Sequence, residues 1–312
     1  NGLTDLPSGL RVETTPYLLA KARNAPTLSG GSENRATVSA GADFKIGPRP
    51  NVTIEGTLNP DFGQVESDPA VLNLTSVETF LPERRPFFLE GAGLFRFTLS
   101  RDPNSPEGLF YTRRVGRSPS LSGTYGDAET SQETTILAAA KLTARLGGNS
   151  SVASLAAATG EELGAPKPGG GRYIVEPRSM YSITRVQKDY RGGRSGFGLM
   201  FTGVKRDVDS LVGTILPRQA LSAGFSTQHQ SRDGQWFSRM WLVATTVDGT
   251  PAAITRVQLA QPHAFQRPDD HNTLDTTATS ISGNGGQVWL GKVGGVMRYG
   301  ASVRYLSAGF DP

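Results

Sequence analysis

The sequence contains no cysteine, which excludes disulfides, zinc–thiolate centres and thiol nucleophiles. Histidine is nearly as scarce. His229, His263 and His271 are too few for a histidine-rich metal site, and each reads as a solvated loop or strand residue. No G-x-S-x-G motif accompanies them, so nothing supports a serine-hydrolase triad. Long apolar runs are also missing, so a chain of this sequence could cross a membrane only as a β-barrel. Charge of one sign is not concentrated: 32 Lys and Arg stand against 28 Asp and Glu, spread along the chain, which argues against a nucleic-acid footprint. Neither Met nor a basic and apolar leader opens the chain at Asn1, so any export signal is expected to have been removed or to lie outside this stretch.

What the sequence has is glycine (38), proline (20) and only 37% hydrophobic residues, with almost no apolar period of 3.6. The expected class is all-β. In residues 37–46, Val38, Ala40, Ala42, Phe44 and Ile46 alternate with Thr37, Ser39, Gly41, Asp43 and Lys45. Residues 51–59 repeat the pattern with Val52, Ile54, Gly56 and Leu58 against Thr53, Glu55 and Thr57, and Gly47–Pro50 supplies a turn. In 135–146, Ile136, Ala138, Ala140, Leu142, Ala144 and Leu146 oppose Lys141, Thr143 and Arg145, and a turn at 147–150 leads into a partner strand. Further strands are expected at 179–190, 193–206, 218–230, 234–247, 252–261, 273–292 (broken at Ser282–Gly286) and 297–305. Residues 160–172 read as a flexible glycine-rich loop.

Such alternation fits a membrane barrel, with apolar faces on lipid, or a soluble sandwich or propeller, with apolar faces on each other. Long strands, small Ala and Gly within the apolar faces, and the aromatics Tyr173, Tyr181, Tyr190, Trp236, Phe237, Trp289 and Tyr305 near strand ends favour the barrel. The expectation is an antiparallel meander forming a partial transmembrane β-barrel, one incomplete domain over 1–312, broken by a plug-like insertion at 60–106.

That insertion opens with NPDFGQVESD (59–68). Asp68 and Pro69 signal a short helix over 69–81, followed by ERRPFFLEGAGLF (83–95). Three chemistries remain open. Asp61, Glu66, Glu83 and Glu90 are candidate catalytic carboxylates for a carbohydrate-active hydrolase, which needs an acid and its partner roughly 5 to 9.5 Å apart. Asp61, Gln64, Glu66 and Asp68 offer oxygens to Ca²⁺, although the spacing is not that of an EF-hand. Alternatively Asp61, Gln64, Glu66, Asp68, Glu78, Glu83, Arg84, Arg85 and Glu90 form a structural charge network inside the barrel, with Arg113, Arg114, Arg185 and Arg304 as further partners and Phe87, Phe88, Leu94 and Phe95 as a small internal core. The residues call for no cofactor.

The run NPDFGQVESDPAVLNLTSVETFLPERRPFFLEGAGLF, together with ILAAAKLTARLGG, SITRVQKDYRGGRSGFGLMFTGVKRD, FQRPDD and GGQVWLGKVGG, resembles the bacterial family called domain of unknown function 5916. The resemblance implies an outer-membrane barrel of unestablished activity, usually preceded by a family 9-like carbohydrate-binding module. Outer-membrane lipid, glycans or other small solutes, and that module are the partners it implies. A purely structural envelope scaffold is a further alternative. The module is absent here, and the last residues resemble a point where family members continue into more strands, so the chain reads as an internal fragment.

Overall fold

The computed structural model describes residues 10–26, 32–60, 80–100, 107–260, 263 and 273–311. Its main sheet begins with β1 (Arg11–Pro26), β2 (Ser32–Arg49), β3 (Val52–Leu58), β4 (Ile136–Leu146) and β5 (Ser150–Thr159). A separate hairpin of β6 (Glu162–Pro166) and β7 (Arg172–Glu176) intervenes. The sheet resumes with β8 (Ser179–Tyr190), β9 (Ser195–Arg206), β10 (Gln219–Gln230), β11 (Trp236–Asp248), β12 (Ser280–Lys292) and β13 (Tyr299–Leu306). These eleven strands are all antiparallel and lie in sequence order, with β1 and β13 as the edges: an open meander, a partial barrel.

Paired residues of an antiparallel ladder point to the same side, so the register turns each strand's alternation into rows across the sheet. One face is bare. It carries Leu18, Val38, Ile54, Met180, Phe201, Leu242, Leu290 and Val303, each at least 41% exposed although large and apolar. On β8–β12 the ionisable residues of that face are Lys188, Lys205, His229, Asp248 and Lys292, and each stands within two residues of a strand end. The opposite face is covered by the segment that follows residue 80. Phe88, Phe95, Phe97, Leu99, Leu109 and Val115 from that segment share one core with Ile136, Leu155, Ile183, Met200, Trp241 and Val243 from the sheet. Each such side chain contributes about 1.5–3 kcal/mol by leaving water.

Short turns close one end of the sheet, at 147–149, 191–194, 231–235 and 293–298, while the long connections 59–135, 160–178, 207–218 and 249–279 gather at the other. At that second end Leu121, Val175 and Val212 form a small buried cluster with Tyr125, Ile174 and Leu216 around it.

Several expectations are corrected. Within the strand expected at 252–261, residues 252–259 are helical rather than extended: α3 spans Pro251–Leu259, with Thr250 as N-cap accepting from the Ala253 N–H at 3.3 Å and proline in the first turn. Helical spacing buries Ala253, Ile254 and Gln258 together, and this outweighs the β-branched content. The shorter pieces α1 (Pro86–Leu89) and α2 (Ser122–Tyr125) lie in the covering segment. The loop expected at 160–172 contains β6, and its glycines make the turn into β7. Strand β12 runs unbroken through Ser282–Gly286, because Gly283 and Gly285 face a tight turn at 307–310; a Cβ on Gly283 would lie 2.2 Å from the Gly309 carbonyl carbon. A register shift between Ile136 and Ala138 turns Ile136 onto the covered face, away from the apolar row to which alternation assigns it. Tyr181, Phe237 and Trp289 fall on the covered face by parity, and Tyr173 lies on β7, outside the main sheet. Residues 11–26, unassigned from sequence, form β1, which pairs along its whole length with β2. His263 is buried, with Nδ1 2.9 Å from the Ala308 carbonyl; its bond to Asp311 raises its pKa against the opposing effect of burial. His229 is exposed, with Nδ1 2.6 Å from the Ser195 hydroxyl. The helix expected at 69–81 and His271 lie outside the described residues, apart from Phe80 and Leu81. Among the described residues no helix is long and apolar enough to cross a membrane.

Candidate functional site

Strands β8–β11 bring two rows of polar side chains to the covered face. Gln187 pairs with Gly198, Gly198 with Ser226, and Ser226 with Trp241; one pleat further, Asp189 pairs with Gly196, Gly196 with Gln228, and Gln228 with Arg239. The two glycines create room. A Cβ on Gly196 would sit 2.4 Å from Asp189 Oδ1, and one on Gly198 would lie 3.6 Å from an Arg185 guanidinium nitrogen. Gly93, Arg96, Phe97 and Thr98 of the covering segment complete the walls, and together they line a half-open cavity of about 230 Å³.

Arg185 is the unusual member. It is only 8% exposed, and its guanidinium lies 5.5 Å from the Phe97 ring. One terminal nitrogen donates to Gln187 Oε1 at 3.2 Å, while Nε and Nη1 have no partner. Gln187 passes its own amide on to both Asp189 oxygens, at 3.1 and 3.2 Å. Arg185–Gln187–Asp189 is thus a relay in which the carboxylate touches the amide and not the arginine. Arg239 is half-buried, 5.8 Å from the Phe237 ring. Trp241, 1% exposed, donates its indole N–H to Gln287 at 3.2 Å. Three arginines and one aspartate leave the cavity cationic.

Two charge clusters fix the covering segment beside this cavity. Lys141, on β4, points its ammonium at Glu55 of β3 at 2.5 Å. It also donates to the carbonyls of Phe87 and Glu90, both at 2.6 Å. It therefore satisfies carbonyls at the end of α1, where a helix leaves acceptors unpaired. Glu90 in turn pairs with Lys45 of β2, and this bond holds its carboxyl below the ordinary range. In the second cluster Arg85 grips Glu83 with two bonds, of 2.8 and 2.7 Å, and donates to the carbonyls of Val115 (2.6 Å) and Thr112 (2.9 Å). Burial alone would raise the Glu83 carboxyl, but the hydrogen bonds and charge of Arg85 prevail and hold it low. Carboxylates held low by cations are poor proton donors at neutral pH.

Of the residues singled out from sequence, Glu83 and Arg85 meet each other, the Arg84 N–H donates to Glu83 at 3.0 Å, and Glu90 meets Lys45. Asp61, Gln64, Glu66, Asp68 and Glu78 lie outside the described residues. Arg113 and Arg114 form a 3₁₀ turn with Thr112. Arg185 faces the cavity without a bonded carboxylate, and Arg304 lies 5.8 Å over Trp241. The expected core of Phe87, Phe88, Leu94 and Phe95 is present, within the larger one described above. Among the described residues no group of three or more His, Asp or Glu side chains is placed to hold a metal. Sequence reading missed Glu55, Lys141, Gln187, Asp189 and Arg239. All five occupy the polar side of an alternating strand, which was the available signal.

No curated protein matches the chain. Among solved structures, OmpTdeltaL8, a loop L8 deletion mutant of OmpT, an outer membrane protein of Vibrio cholerae, is similar at 10% identity and a TM-score of 0.32, covering 96% of this chain and 100% of that one. The sequence pattern of the family described as "Domain of unknown function (DUF5916)" matches residues 8–218. That stretch carries β1–β9, both charge clusters and the Arg185 relay, and the chain belongs to this family.

Proposed function

We propose that this chain is wall and filling of an outer-membrane β-barrel: the bare face meets lipid, the covered face lines the lumen, and residues 60–106 with the chain up to 135 form an internal plug. The observation that carries the reading is the inverted distribution of polarity. Large apolar side chains are exposed across the middle of the bare face, whereas Lys141, Glu55, Arg85 and Arg185 are buried on the other. In water this arrangement would expose an extensive apolar patch on a monomer. In a bilayer it is the expected pattern, apolar outward and polar inward. Trp236 and Tyr299, in edge-to-face contact at 5.9 Å, and Tyr190 supply an aromatic girdle at the short-turn end. In this reading the short-turn end faces the periplasm, as short turns do in such barrels.

The activity we infer is binding or passage of a small polar solute, glycan-derived or otherwise, at the lumenal cavity. Reconstitution tests the reading. The full chain is expected to fold only with detergent or lipid and to migrate faster on gels before boiling than after; a monomer that stays folded without detergent would reject it.

A further inference from the structure

We propose that the cavity beside Arg185 is an anion site whose occupant is a small solute bearing a carboxylate or another oxyanion. The inference rests on the lumenal reading above and adds the chemical class. It begins with the two unbonded guanidinium nitrogens. A buried donor without a partner is costly, and native structures rarely keep one without a reason. Arg185 is only 8% exposed, lines the cavity, and has its third nitrogen, Nη2, bonded to Gln187. Gln187 holds Asp189 through its amide, so the nearest carboxylate is engaged elsewhere. What is left unbonded is Nε and Nη1, which lie on different edges of the guanidinium, so an oxyanion compensates the charge and accepts from one of them at a time, not through a parallel pair.

The surroundings select in the same direction. Arg96 and Arg239 bring two more positive charges to the walls, against the single Asp189. Arg96 is exposed and Arg239 half-buried, so water screens both in part, but Arg185 is buried with no carboxylate bonded to it, and an anion compensates that charge where a neutral solute does not. Ser226 and Gln228 present hydrogen-bonding groups to the same space, which suits a solute with hydroxyls beside its acidic group. At about 230 Å³ the cavity is below the roughly 300–1,000 Å³ of drug-sized sites, so the occupant is a monomer or the end of a chain.

The test uses the full chain in detergent at low salt, titrated calorimetrically with sodium glucuronate, sodium sulfate and glucose, with unfolding midpoints and heat-modifiable migration recorded on the same samples. Glucuronate or sulfate is expected to bind with one site per chain and to raise the midpoint, and glucose is not; which anion binds identifies the oxyanion group. Arg185→Gln should weaken that binding at least tenfold and abolish the midpoint shift, and without anion it should fold with an unchanged or higher midpoint, since an unpartnered charge has gone. Arg239→Gln should weaken binding in the same direction, which keeps the test open if the first variant fails to fold, and Arg11→Gln on β1 should leave binding unchanged. If neither anion binds, or if glucose binds as well as glucuronate, or if binding survives Arg185→Gln unchanged, the anion assignment is overturned and water alone satisfies the guanidinium. Failure of binding with intact heat-modifiable migration overturns the assignment only; absence of that migration in the parent chain overturns the barrel reading.

Discussion

Lys141 ties the covering segment to the sheet. Its ammonium serves Glu55 and two backbone carbonyls at once, and it is almost wholly buried. Lys141→Ala would leave a buried carboxylate and two carbonyls unpaired and is expected to cost about 3–5 kcal/mol, read as a lowered unfolding midpoint. The double variant Lys141→Met, Glu55→Leu should lose much less, because no charge is then stranded; equal losses would show that the pair is unimportant. Glu83 makes a prediction about pH. Its carboxyl is held below the ordinary value when folded, so it contributes stability in full above about pH 4.3, and that contribution disappears as pH falls through the lower folded value. Glu83→Gln should lower the midpoint at neutral pH and flatten its decline in acid. A parallel decline in parent and variant would contradict this. The residue types of both clusters were legible from sequence, but their partners were not. Lys141 meets Glu55 only because β3 pairs with β4 across 77 intervening residues of insertion and turn, 59–135, and no local pattern encodes that pairing.

Period-two alternation located most of the strands, because β8, β9, β10 and β11 each place apolar and polar residues on opposite faces. It failed where another signal outranked it. Over 251–259 the Thr250–Pro251 start and the spacing of Ala253, Ile254 and Val257 specify a helix, although β-branched residues suggest a strand; Thr250→Ala should cost about 1 kcal/mol through the lost cap. On β12 glycines read as a break, yet they mark where another backbone approaches. The same logic governs Gly224 of β10, where a Cβ would lie 2.8 Å from Phe97 Cζ and 2.9 Å from Leu109 Cδ2. Gly224→Val should destabilise by about 1–3 kcal/mol through overpacking, while Ala223→Leu, one residue away on the bare face, should be tolerated. A comparison of the two midpoints in detergent checks it. If both are equally tolerated, the covering segment does not press on β10 as described.

Across the whole molecule, the alternation visible in the sequence allowed a barrel or a sandwich, and the structure adds what decides between them. Apart from the small β6–β7 hairpin there is one sheet, and what packs on it, among the described residues, covers its polar face. Among the described residues nothing packs on the apolar face. The candidate cavity was not legible at all, because it needs four strands in register and a loop from about 90 residues earlier in the sequence. If the bare face meets lipid, Leu242→Arg should cost about 2–4 kcal/mol near the bilayer middle, whereas at a water-exposed surface position the change stays within about 0.5 kcal/mol. The absence of cysteine permits the most direct test of the central claim. Single substitutions Leu242→Cys, Val288→Cys and Thr245→Cys, each spin-labelled in the otherwise cysteine-free chain and reconstituted in bilayers, can be read by collisional access to oxygen and to a water-soluble nickel complex. The account predicts high oxygen and low nickel access at 242 and 288 and low access to both at 245; ready nickel access at 242 and 288 would contradict it.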